Sequence, residues 1–146
     1  MMQVENDTVK LLRECDAGIK MGVSAIDDVI DQVKNQHFRN LLAECKKDHE
    51  VLREELDRML VAKGEDGKEP NPMAKGMSWL KTNMKMATRP TDETVADLIT
   101  DGCNMGVKSL HRYLNLYGAA DEDSRDIAKR LINTEERLAV DIRSYL

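Results

Sequence analysis

Apolar residues return every three or four positions through most of this chain, and the interruptions of that rhythm divide it into helices. Asn6 and Asp7 suit helix caps, and the stripe Leu12, Cys15, Ile19, Gly22, Ile26, Val29, Ile30 and Val33 predicts one long helix ending near Asn35. A break at Asn35-Gln36-His37 leads to a second helix with Leu42, Cys45, His49, Leu52, Leu56 and Met59 facing inward, stopping before Gly64. The stretch from Glu65 to Pro72 is turn-rich and carries prolines that a helix interior excludes. A shorter helix follows, with Met73, Met77, Leu80 and Met84 on one side and Lys75, Lys81 and Lys85 largely away from it. Arg89-Pro90-Thr91 ends it, and Thr91 is a good cap for the next helix, with Asp92 and Glu93 suited to the positive end of its dipole. The fourth helix turns Ile99, Cys103, Gly106, Leu110, Tyr113 and Tyr117 inward. Gly118 and Asp121-Glu122-Asp123 separate it from a last helix striped by Ile127, Leu131, Glu135, Leu138, Ile142 and Tyr145.

Connection lengths select the topology. The first two long helices and the last two are joined by short turns, so each pair is antiparallel, whereas roughly thirty residues lie between the pairs. A main helix of about 26 residues is ~39 Å long, a distance that a crossover containing a helix of ~15 residues covers. The expected fold is therefore all-α and a single domain over residues 1–146: hairpin 1 at about 5–63, a crossover at about 64–90, and hairpin 2 at about 91–146.

The two hairpins also resemble each other. Gly18-Ile-Lys-Met-Gly-Val23 recurs as Gly102-Cys-Asn-Met-Gly-Val107, and Asp48-His-Glu-Val-Leu52 is matched by Thr134-Glu-Glu-Arg-Leu138. Met21 and Met105 are 84 residues apart, and Leu52 and Leu138 are 86 apart, so a gap of two aligns whole hairpins as an internal repeat.

Composition narrows the functional classes. The charged fraction is 34% and the aromatic fraction 3%, which favours helix on helix over a sheet. A net charge of −5 argues against nucleic acid as a partner. No apolar run is long enough for a bilayer, and the polar start Met1-Met-Gln-Val-Glu-Asn-Asp7 lacks the order of a signal peptide, so no membrane association and a cytoplasmic location are expected. Cys15, Cys45 and Cys103 are far apart without a CxxC spacing and read as reduced, buried thiols.

The duplicated hairpin, the crossover between the copies, and the echoes Asp16-Ala-Gly-Ile19 and Trp79-Leu-Lys81 resemble the ferritin-like superfamily, most nearly small bacterial ferritin-like proteins of unknown function with a helical crossover. The resemblance covers nearly the whole chain and implies a ferritin-like four-helix bundle of two antiparallel hairpins joined by a crossover with a short helix. In metal-binding members, the first helix of each hairpin offers a Glu and the second a Glu-x-x-His to a di-iron or di-manganese centre. Here Ile19 and Cys103 stand at the two single-Glu positions, and the second helices read Lys46-x-x-His49 and Ile132-x-x-Glu135. Lys46 is expected to bring positive charge toward a centre that needs carboxylates.

His49 and Glu135 are polar residues on apolar stripes, and burial makes them candidates for each other. Three readings stay open: a structural pair across the bundle, a mononuclear site from His49, Glu135 and Cys103 (with Cys45 or Cys15) holding a single divalent metal, or a half-exposed His49. Gly22 and Gly106 are expected to let their helices approach closely, the alternative being a small ligand cavity. The Met73 to Met84 helix is expected to lay its apolar side on the bundle, the alternative being a surface for a partner or membrane. His37 and His111 read as turn and helix-surface residues, and Glu54-Glu55 and Glu135-Glu136 point in different directions and form no acid–base dyad. No phosphate loop or nucleophile motif is present.

These features favour a non-enzymatic bundle with a degenerate metal site and no catalytic residues or cofactor, having a structural, interaction or stress-related role as a homo-oligomer, with an unidentified protein partner open. The alternatives are a metal-binding oxidoreductase or metal-storage protein with an atypical His/Glu/Cys site, and an adaptor that binds a partner through the Met-rich helix.

Overall fold

The computed structural model describes residues 2–146, so Met1 of the polar start lies outside the described residues. Five helices occupy the chain: α1 (Met2–Val29), α2 (Gln36–Ala62), α3 (Pro72–Thr88), α4 (Asp92–Leu116) and α5 (Glu122–Asp141). There is no strand among the described residues. Short 3₁₀ turns follow α1 at Ile30–Gln32 and α5 at Arg143–Tyr145. The helix starts follow capping chemistry: Asn35, Asn71, Thr91 and Asp121 each accept a backbone N–H from the first turn of α2 to α5. Pro72 sits in the first turn of α3, where its missing N–H costs nothing.

Two expectations for α1 change. The helix stops at Val29 and tightens into a 3₁₀ turn instead of continuing to Asn35. Asn6 and Asp7 are not caps but lie inside α1, which already begins at Met2. Asp7 serves a different helix end: its carboxylate accepts the Ala119 N–H at 3.0 Å, and the neighbouring Thr8 hydroxyl accepts the Asp121 N–H at 2.8 Å.

That clasp on the α4–α5 turn has a counterpart at the other end. Asp92, at the start of α4, accepts the N–H groups of Lys34 and Asn35 at 2.8 and 2.9 Å in the α1–α2 turn. Asp7 and Asp92 are 85 residues apart, and so are the clasped Lys34 and Ala119. Each hairpin thus lends a carboxylate from its first helix to the turn of the other, satisfying amides that the helix ends leave open.

α1, α2, α4 and α5 pack on one another, while α3 rests against α1 and α4. Their interior divides into two apolar clusters. One gathers Leu11, Leu12, Ile19, Leu52, Leu56, Leu114, Ile127 and Leu131, and the other Ile26, Val29, Phe38, Leu42, Val95, Ile99, Leu138 and Ile142. Phe38 stacks on Tyr145 at 4.6 Å, closing the second cluster, and the Tyr145 hydroxyl lies 2.6 Å from His37 Nδ1. His37 accordingly belongs to the first turn of α2 and has a partner.

The start of the crossover is pinned to α1. Asp16, 1% exposed, accepts the Lys68 N–H at 3.0 Å and pairs with Lys20 at 2.8 Å, while Lys20 reaches Glu69 and Lys68 pairs with Glu14. Gly67 is required here because a Cβ would run into the Asp16 carboxylate. The apolar side of α3 does not cover the bundle as expected: Met73, Met77, Leu80 and Met84 are exposed, and only Met86 is buried. No helix is long and apolar enough to cross a membrane among the described residues.

Replacing Asp7 or Asp92 with Ala is expected to cost about 1.5–3 kcal/mol each, since each loses charge-assisted bonds to backbone amides. Chemical denaturation should show the two losses adding in the double variant, and amide exchange should quicken at Ala119 in one case and at Lys34 and Asn35 in the other.

Candidate functional site

Between the two apolar clusters lies a single polar layer. His49 follows Cys45 by one turn on α2, and Glu135 follows Ile132 by three residues on α5; both side chains are buried. Gly22 on α1 and Gly106 on α4 complete the layer. A Cβ at Gly22 would come within 3.0 Å of His49 Nε2, and a Cβ at Gly106 would collide with both carboxylate oxygens of Glu135. The glycines therefore make room for these two side chains. They are not there to bring the backbones of α1 and α4 together, as the sequence suggested, and the space they leave is filled.

His49 Nδ1–H donates to the Cys45 carbonyl at 2.8 Å, with the Cys45 Sγ 3.5 Å from the same nitrogen. This fixes Nε2 toward Glu135 Oε1 at 3.7 Å, within ion-pair range and beyond a hydrogen bond. Neither His49 Nε2 nor Glu135 Oε2 has another partner. An unprotonated Nε2 facing a carboxylate would set two acceptors against each other, so the layer requires a proton between them. The titration of both groups agrees. Burial opposes the charge on His49, but Cys45 and Glu135 outweigh it and lift its pKa to about 10. Burial raises Glu135 from its ordinary value, and the attraction of His49 only partly offsets this.

The remaining residues proposed from sequence fall around the layer. Cys103 is buried in the second apolar cluster, one turn before Gly106, and feels the Glu135 charge. Burial, reinforced by acidic neighbours, pushes the thiols of Cys15 and Cys103 up to about 12, which keeps them protonated and weak as ligands or nucleophiles. Lys46 turns away from the interior and pairs with Asp27 at 2.6 Å, so it brings no positive charge to the layer, contrary to expectation. Glu55 forms a two-pronged pair with Arg130 at 2.7 and 2.9 Å on the wall of a surface cavity of about 420 Å³.

A two-cation centre does not fit this donor set. At the positions the ferritin-like resemblance would give to ligands, Ile19 and Ile132 are buried hydrocarbon, Cys103 is a protonated thiol, and only one imidazole and one carboxylate remain. Among the described residues no group of three or more His, Cys, Asp or Glu side chains is arranged to hold a metal ion. No family model, curated protein or solved structure matches the chain.

The carboxylate clasps and Asp16 escaped the sequence reading. One signal pointed to the clasps: Asp7 and Asp92 are separated by 85 residues, in step with the repeat offsets of 84 and 86. Asp16 carried no comparable signal, because its partners Arg53 and Lys68 are remote in sequence.

His49→Ala is expected to cost about 3–5 kcal/mol by leaving Glu135 buried alone, whereas His49→Leu combined with Glu135→Leu should be neutral or stabilising by about 1–4 kcal/mol. Denaturation at several pH values should add a sign. Because the folded pKa of His49 is raised, its contribution is fully present below pH 6.5 and is lost as pH rises toward about 10, so wild type weakens relative to the double Leu variant over that range.

Gly106→Ala should destabilise by about 1–3 kcal/mol despite the better helix propensity of Ala. In a Glu135→Ala background the same change is expected to become stabilising by up to about 1 kcal/mol, as a double-mutant cycle would reveal.

Proposed function

We propose that this chain is a non-enzymatic ferritin-like bundle, built from a duplicated hairpin, in which one acid–base pair replaces the metal layer. Its role on this reading is structural, interactive or stress-related, in the cytoplasm, and as a homo-oligomer. One observation carries the proposal: a layer through α1, α2, α4 and α5 contains only His49, Glu135 and the two glycines that accommodate them. His49 and Glu135 are 86 residues apart and Gly22 and Gly106 are 84 apart, the same offsets that align the hairpins. The pair thus stands at equivalent places in the two copies, where a duplicated metal site would have placed ligands.

The chemistry of the layer favours a structural role over catalysis. A nucleophile or general base needs access to substrate, yet His49 is 2% exposed and Glu135 7%. The reading that competes is a mononuclear site on His49 and Glu135, supported by the two atoms that have no other partner, Nε2 and Oε2.

Protein purified without chelators is expected to contain no stoichiometric transition metal by elemental analysis and to show no Fe(II) oxidation above buffer. One metal per chain that disappears in His49→Ala would instead establish the mononuclear site.

A further inference from the structure

The crossover helix carries an apolar stripe that its own chain leaves bare. Met73, Met77, Leu80 and Met84 are between 54% and 74% exposed. Their spacing of four, three and four residues keeps them on one helical face, the repeat by which one helix seats against another. Thr82, half-buried, and Met86, buried, mark the opposite side as the one toward the bundle. The stripe therefore points straight outward.

The surroundings extend this surface and remove its charge. Lys81 pairs with Asp101 at 3.5 Å and Lys85 with Asp97 at 3.3 Å, so α3 and α4 run antiparallel, and that register brings Met105 level with Met77. Met105 is 70% exposed. Lys75 lies in the field of Asp28. The helix has no acidic residue, and its lysines turn back toward aspartates of their own bundle, so the outward face is apolar and lacks cations aimed at an anionic surface.

We propose that this face is the interface between two copies of the chain, with α3 packed antiparallel on α3 of the partner about a twofold axis passing between Ser78 and Trp79. The stripe complements itself in that arrangement: Met73 meets Met84 of the partner subunit, and Met77 meets Leu80 of the partner subunit. Antiparallel packing also opposes the helix dipoles and offsets the two copies of Lys81 by about 7 Å along the axis, whereas a parallel pair would set them level. Methionine suits such a contact because its unbranched side chain adapts to irregular gaps. With Met105 the stripe offers on the order of 600 Å² per chain, so two copies withdraw roughly 1,200 Å², the lower bound of a specific interface. The surface is separate from the His49–Glu135 layer, and its test does not depend on whether that layer binds metal.

Sedimentation equilibrium of the full chain should show a concentration-dependent dimer. Met77→Glu with Leu80→Glu, both at exposed positions, should weaken it at least about 30-fold, the weight of one interface hot spot, with helical circular dichroism unchanged. Leu116→Glu, an exposed apolar residue outside the stripe, should leave it intact. A short thiol cross-linker fixes the register: Met73→Cys and Met84→Cys should each fail alone, their own copies lying about 16 Å apart along the axis, and should link when mixed. A monomer at several hundred micromolar, a dimer indifferent to the glutamates, cross-linking by either cysteine alone, or a monomer that sediments with phosphatidylserine vesicles would each overturn the proposal.

Discussion

His49 and Glu135 face each other across the middle of the bundle with no water-exposed route for their charge, and the surrounding structure is arranged around the single proton they need. Cys45 supplies the carbonyl that holds Nδ1–H and thereby chooses which nitrogen looks at Glu135. Gly22 and Gly106 supply the space. Above and below, apolar clusters exclude solvent, which strengthens the attraction and makes either member expensive alone. Such a pair adds little net stability over hydrocarbon, so its effect is on which arrangement forms. A slide of α5 by one turn along α2 would separate His49 from Glu135 and drive the carboxylate into leucines, a penalty that a uniformly apolar interior would not impose.

The carboxylate clasps act on the same problem from the two ends. A helical hairpin is a local structure and forms with little loop-closure cost, whereas docking one hairpin on the other must pick a register over a long crossover. Asp92 on the first turn and Asp7 on the second join groups 57 or more residues apart in sequence. Both reach amides that the turns cannot satisfy internally, so a misdocked bundle would leave those amides without partners. Register is thus specified at three levels along the axis, each polar, while the clusters between them supply the hydrophobic driving force.

How much of this was legible in the sequence depends on the range of the interaction. Thr91 as a cap, the breaks at Asn35 and at Arg89-Pro90, and the inward stripes of α2, α4 and α5 follow from local periodicity and capping, and the structure agrees. His49 and Glu135 were also readable as partners, since two polar residues on apolar stripes must find each other. The role of Gly22 and Gly106 was not, because a glycine records only that something is close, and helix backbone and bulky side chain leave the same trace. Asp7 was misread for a related reason: an Asp near a helix start has a local use as a cap, and nothing nearby shows that its partner is Ala119. The α3 stripe shows the limit most clearly. Periodicity identified the face correctly, but not its direction, because periodicity gives the phase of a helix relative to itself and not to its neighbours.

That direction bears on how α3 is held at all. An isolated helix of this length is marginal in water. Its links to the bundle are Met86, the half-buried Thr82 and two exposed lysine–aspartate pairs, and exposed ion pairs contribute little. The clasp of Asp16 on Lys68 secures the start of the crossover but stops short of the helix. Most of the apolar area of α3 therefore gives no stabilisation within one chain. Covering the outward face with a second copy supplies that missing term at the place where the single chain is weakest, so ordering of α3 and association are coupled, and the segment that joins the hairpins becomes the one that joins the subunits.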